Sequence, residues 1–163
     1  MTATDVLLAN NAAYADAFDH PGLDVAPARK LAVVACMDSR LDLFGALGLD
    51  LGEVHMIRNA GGVVTDDVIR SLVISQRLLG TEEILLVHHT DCGLLKVTDD
   101  ELKDAIEDDV GVRPGFAFEA FRDLDLNVRR SIARLRATQF LPHTDRIRGF
   151  VYDVDTGRLR EVG

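Results

Sequence analysis

The sequence predicts an α/β fold built on a mainly parallel sheet flanked by helices, and three observations predict it. Leu31-Ala32-Val33-Val34-Ala35 and Ile84-Leu85-Leu86-Val87 are apolar without alternation, the pattern of strands buried on both faces. Segments with helical periodicity separate the strand candidates, as crossovers between parallel strands do. The 163 residues are 47% apolar and 28% charged, which suits one domain (residues 1–163) with an ordinary core.

Residues 4–18 read as a helix with Thr4 as its N-cap and Val6, Leu7, Ala13, Tyr14 and Phe18 as apolar positions. His20-Pro21-Gly22 to Pro27 is a linker. Lys30 to Cys36 is the first strand, and Glu53 to Arg58 a short second one ending at Asn59-Ala60-Gly61-Gly62. Thr65 caps a helix whose first turn carries Asp66 and Asp67, favourable at the positive end of the helix dipole. Gly80 is placed as its C′ residue. Glu83 to His89 is the next buried strand. Thr98-x-x-Glu101 has the form of a capping box and opens a helix to about Asp109. Gly111 to Gly115 is a loop, and residues 123–137 form a long basic helix with Leu124, Val128, Ile132 and Leu135 on one face. Arg148 to Val154 and Arg158 to Val162 flank Asp155-Thr156-Gly157 as a terminal hairpin.

A formal net charge of −9 excludes the basic footprint of a nucleic-acid binder and opposes contact with anionic membrane surfaces. No apolar run approaches the ~18 residues of a membrane span. Met1 to Asp5 has neither the basic nor the apolar region of a signal peptide, so a cytoplasmic location is expected. Two cysteines in such a chain read as thiols or metal ligands rather than as a structural disulfide.

Those cysteines carry the chemistry. Cys36 opens Cys36-Met37-Asp38-Ser39-Arg40, and Cys92 closes His89-Thr90-Asp91-Cys92. Both motifs leave the C-terminal end of a strand, and in a parallel sheet those ends share one edge, where ligands of open α/β sheets bind. Convergence would assemble two thiolates and one imidazole, a zinc set with one position open, as catalytic rather than structural sites have. The residues alone also admit a redox dithiol, although no Cys-x-x-Cys is present.

Ala35-Cys36-Met37-Asp38-Ser39-Arg40, Arg58-Asn59-Ala60-Gly61, and Gly80-x3-Ile84 leading to His89-Thr90-Asp91-Cys92-Gly93 resemble the β-class carbonic anhydrases, in particular a small actinobacterial-type subgroup. The resemblance covers residues 31–93 and extends less specifically to Gly149-Phe150-Val151-Tyr152-Asp153. It implies a central four-stranded, mainly parallel sheet with an added C-terminal strand, and one Zn2+ per chain on Cys36, His89 and Cys92. It also implies an Asp38–Arg40 catalytic dyad, and a homodimer or dimer of dimers. The implied reaction is reversible hydration of CO2 to bicarbonate by zinc-bound hydroxide, with activity rising on alkalinisation. The resemblance further admits Asp38 itself as a fourth ligand if its link to Arg40 breaks. Other readings keep the zinc fold but change the electrophile, for example to carbon disulfide, or reduce the site to a silent zinc- or bicarbonate-binding module. Three positions depart from the family: Gly62 where asparagine is usual, His88 where glycine commonly precedes the ligand histidine, and a short N-terminal arm without its glutamine. Val63, Val64 and Leu94 are candidates for an apolar wall, with core packing the plainer role. His88 and His55 are expected to be structural, Asp91 to hydrogen-bond within its turn or else to support the residues around the metal ligands, and Gly61 and Gly93 to allow close backbone approach.

Overall fold

The structure is a computed structural model and describes residues 1–163. Five strands form one sheet in the order β2-β1-β3-β4-β5. They are β1 (Leu31–Cys36), β2 (Val54–Asn59), β3 (Glu83–His89), β4 (Ile147–Tyr152) and β5 (Leu159–Val162). The first four run parallel, and β5 returns antiparallel on β4, as the terminal hairpin predicts.

Alternation along the buried strands divides the core in two. Ala32, Val34, Ile84, Leu86, Ile147 and Val151 point to one face. There they meet Val68 and Leu72 of α3 (Asp66–Arg77) and Val128, Ile132 and Leu135 of α5 (Leu124–Arg136). Val33, Ala35, Val87 and Tyr152 point to the other face and pack with Leu41, Leu43, Val63 and Phe121. That second face is covered mainly by short segments: the stretch after β1, including the five-residue α2 (Leu43–Leu47), the turns after β2 and β3, and the loop leading into α5. Its thinner cover leaves room for a site at the sheet edge.

Helix boundaries follow their caps with two adjustments. The N-terminal helix α1 (Ala3–Asp16) is capped by Thr2 rather than Thr4, because Thr2 and Asp5 close a reciprocal capping box. Helix α3 ends at a cap on Leu78, so Gly80, at φ +72°, serves the turn two residues later. Thr65 and Thr98 cap α3 and α4 (Asp99–Val110) as expected, the latter with its box complete. Helix α2 carries no sequence prediction, since five residues are too few for a periodic signal. Helix α1 buries none of its residues and leaves Val6, Leu7, Leu8 and Tyr14 exposed.

Register places the chemistry. Cys36 pairs with Asn59, and His89 with Tyr152, so the C-terminal ends of β1 to β4 lie along one edge. A tight 3-10 turn, residues 60–62, follows β2 and presses back on β1. Gly62 sits at φ +66°, and a Cβ there would lie 2.8 Å from the Cys36 nitrogen and 2.9 Å from the Ala35 carbonyl carbon. Only glycine meets both demands without displacement.

Candidate metal centre

Cys36 ends β1, His89 ends β3, and Cys92 follows on the turn that leaves β3. The two sulfurs and an imidazole nitrogen lie within 4.8 Å of one another, and all three residues are buried. Both cysteines are free thiols. The 53-residue separation is closed by sheet register alone, as the parallel-edge reasoning expects.

His89 is oriented by its neighbour. Its Nδ1 lies 2.8 Å from the Thr90 carbonyl, which only accepts, so Nδ1 carries the proton and Nε2 keeps its lone pair. Nε2 is buried and has no hydrogen-bond partner. An orphaned imidazole lone pair beside two buried sulfurs is a costly arrangement unless a cation takes it up, and soft sulfur with imidazole nitrogen is a donor set that zinc favours. The residues therefore fit a metal ion. The hydrogen bond fixing the other ring nitrogen is the support that metal-binding histidines generally have.

Without a cation between them the two sulfurs would shift each other's protonation. The closeness of the two sulfurs lowers Cys36 and raises Cys92, so the pair keeps one proton where two separate thiolates would repel. Burial opposes the shift at Cys36, while His89 and the backbone N–H groups of Asp38 and Gly61 reinforce it. Burial disfavours charge on His89, but the Cys36 sulfur, the Thr90 carbonyl and the Asp38 carboxylate outweigh it and raise its pKa. A metal cation would take the place of these protons.

Asp38 and Arg40 form a fork beside the cluster. Arg40 donates from Nε to Asp38 Oδ1 at 3.0 Å and from Nη2 to Oδ2 at 2.8 Å, while its backbone N–H donates to Oδ1 at 2.9 Å. These bonds hold the Asp38 carboxyl far below the usual carboxylate range. Asp38 Oδ2 stands 3.8 Å from His89 Nε2. Asp38 is thus paired with Arg40 and adjacent to the cluster. Arg58 supports the same loop, donating from Nε to the Cys36 carbonyl at 2.9 Å and from Nη2 to the Asp38 carbonyl at 2.6 Å.

The remaining residues sort themselves by face. Val63 and Leu94 pack in the cluster that holds Cys36 and Cys92, whereas Val64 belongs to the opposite face, against the helices. Phe121 joins the cysteine side; it lies 29 residues beyond Cys92, and no sequence signal links it to the site. Gly61 sits at φ +81°, where a side chain is strained, and a Cβ there would push on Leu94 Cδ1 at 2.6 Å, but Gly93 faces open space and permits no close approach. His88 points away from His89, with Nε2 2.7 Å from Asn127 Oδ1 of α5, and burial keeps it neutral. His55 of β2 bonds Ser75 of α3, its Nδ1 2.7 Å from the hydroxyl, a structural contact. Asp91 makes no hydrogen bond within its turn; it pairs with Arg40 and Lys96 instead.

Comparison with known proteins converges on one family. A family model for carbonic anhydrase matches residues 31–159. "Beta-carbonic anhydrase 1" of Mycobacterium tuberculosis is 55% identical over 162 residues, 99% of each chain. The crystal structure of carbonic anhydrase from Streptococcus mutans superposes with a TM-score of 0.95 at 46% identity, covering 100% of this chain and 99% of that one. A carbon disulfide hydrolase of Acidianus is 36% identical over 157 residues, 82% of this chain and 77% of its own.

Proposed function

The chain belongs to the carbonic anhydrase family, and from that premise we propose that it is a β-class enzyme catalysing the reversible hydration of CO2 to bicarbonate and a proton. The observation that carries this reading is the convergence of Cys36, His89 and Cys92 beside a bidentate Asp38–Arg40 pair. A structural metal site would have no use for that pair.

Cys36, His89 and Cys92 would hold one zinc ion per chain. When bound, zinc supplies a Lewis-acidic position that makes water nucleophilic near neutral pH. Asp38 does the orienting. Its Oδ1 already accepts twice, from the Arg40 backbone and from Nε, while Oδ2 accepts once. A carboxylate oxygen has two lone pairs, so Oδ2, on the side of His89 Nε2, retains capacity to accept a hydrogen bond from the attacking water. Ionised throughout the working pH range, Asp38 can accept but not donate, which selects the orientation that leaves an oxygen lone pair free for the carbon of CO2. Arg40 keeps the carboxylate ionised and in plane. Val63, Leu94 and Phe121 pack on the cysteine side and make the surroundings of the cluster apolar, which suits a nonpolar substrate. The proton released leaves to buffer.

Carbon disulfide, a linear electrophile of the same form, is the competing substrate. Identity of 55% over the full chain, against 36% over four-fifths of it, favours CO2. We further read residues 1–163 as one domain acting in the cytoplasm as a homodimer. No helix is long and apolar enough to cross a membrane. The apolar side chains that α1 leaves uncovered support a second copy.

Stopped-flow CO2 hydration on zinc-quantified protein between pH 6.5 and 9 tests the reading. Activity rising with pH at about one zinc per chain supports it. Full zinc with no hydration, or turnover of carbon disulfide alone, would overturn it.

A further inference from the structure

We propose that Asp91, braced by Lys96, is a positioning residue that fixes the Arg40 guanidinium and, through it, the Asp38 carboxylate. The inference rests on the reaction proposed above and adds a residue to it.

A guanidinium presents two bidentate edges. In Arg40 the Nε–Nη2 edge is taken by Asp38. The other edge, Nη1–Nη2, is taken by Asp91: Nη1 donates to Oδ2 at 2.9 Å and Nη2 to the Asp91 backbone carbonyl at 3.3 Å. A guanidinium held on one edge can still swing about that contact; one held on both cannot. The second carboxylate oxygen is also committed, since Asp91 Oδ1 lies 2.6 Å from Lys96 Nζ. The result is a row of alternating charge, Asp38–Arg40–Asp91–Lys96. It links the loop after β1 to the turn after β3, the two segments that carry the metal-binding residues.

The backbone at Asp91 shows that this placement is built. Asp91 adopts φ +55°, the left-handed region, which glycine fills most easily and asparagine and aspartate tolerate. Its carboxylate gives nothing to its own turn and points wholly to Arg40 and Lys96. The Arg40 and Asp91 side chains are half exposed and that of Lys96 is 64% exposed, so the pairs add little to folding stability. Their effect lies in geometry, where small displacements of a catalytic group cost large factors in rate.

Left-handed backbone supplies a clean test. Asp91→Gly removes the carboxylate while relaxing the turn, and Asp91→Asn keeps shape and turn but removes the charge. Both are measured as zinc-loaded full chains against wild type and Arg40→Ala. In 15N NMR the Arg40 Nη signals, distinct when rotation is hindered from both edges, are expected to merge in Asp91→Gly. Zinc content should be unchanged. The kcat for CO2 hydration should fall about tenfold, with Asp91→Asn in between and KM nearly constant. In an Arg40→Ala background, Asp91→Gly should change kcat less than about twofold, because the residue acts through Arg40. An equal loss in both backgrounds, or unaltered Arg40 signals in an active Asp91→Gly chain, would overturn the inference and leave the functional reading standing. Absence of hydration in the wild-type chain would defeat that reading and this inference with it.

Discussion

Gly62→Ala should be among the most damaging single-methyl additions in this chain. At φ +66° an alanine adopts the left-handed region, which costs about 1–2 kcal/mol. The added Cβ would also meet the Cys36 nitrogen at 2.8 Å, the Ala35 carbonyl carbon at 2.9 Å and the Val87 carbonyl oxygen at 3.2 Å. These are backbone atoms of central strands, which cannot rotate away, so overpacking adds about 1–3 kcal/mol. The total is roughly 2–5 kcal/mol, and relief by backbone movement shifts the residue that ends β1, Cys36 itself. Gly80→Ala is the matched control: φ is +72° and nothing lies within 4 Å of the new Cβ, so only the conformational cost of about 1–2 kcal/mol applies. Urea unfolding of both variants at equal zinc excess isolates the effect of the clash, because their difference reports the overpacking together with any zinc stabilisation lost with it. Zinc content after desalting reads the displacement of Cys36. Equal stabilities for the two variants, with full zinc in Gly62→Ala, would refute the reasoning.

Arg58→Ala removes two donations to the Cys36 and Asp38 carbonyls and should cost about 1–3 kcal/mol in urea unfolding together with part of the hydration activity. Arg58→Lys should not restore it, since a single ammonium does not reproduce the fork. Leu135→Ala, at a fully buried position of α5 on the face away from the cysteines, should cost about 2–5 kcal/mol while zinc content and kcat at 25 °C stay near wild type. Acidification should release zinc, because protons compete for the sulfurs and for His89, whose metal-free pKa lies above the ordinary imidazole value. The sign is fixed: occupancy in the presence of a weak chelator falls as pH falls, and a constant occupancy from pH 8 to 5 would contradict it.

The parts of the site visible in the sequence are those that strand periodicity can place. Unbroken apolar runs located β1 and β3, and parallel register then dictated that Cys36, His89 and Cys92 share an edge. The Asp38–Arg40 dyad came from the family resemblance, and the two-residue spacing lets it close as a local fork. What escaped depends on contacts across long separations. Phe121 reaches the cysteine side from a loop without periodicity, and the Arg40–Asp91 pair spans 51 residues. Gly93 and Gly61 look alike in sequence, and only the neighbours of each α-carbon show that one is confined and the other free. Val63 and Val64 part because the extended backbone at Val63 sends successive side chains to opposite sides.

Zinc K-edge X-ray absorption on the zinc-loaded wild-type chain tests the central claim, that two cysteine-bearing turns converge on one metal ion. The account predicts two sulfur neighbours at about 2.3 Å and one imidazole nitrogen at about 2.0–2.1 Å, with one further light atom in the remaining position. A shell of nitrogen and oxygen alone, or one containing a single sulfur, would contradict it.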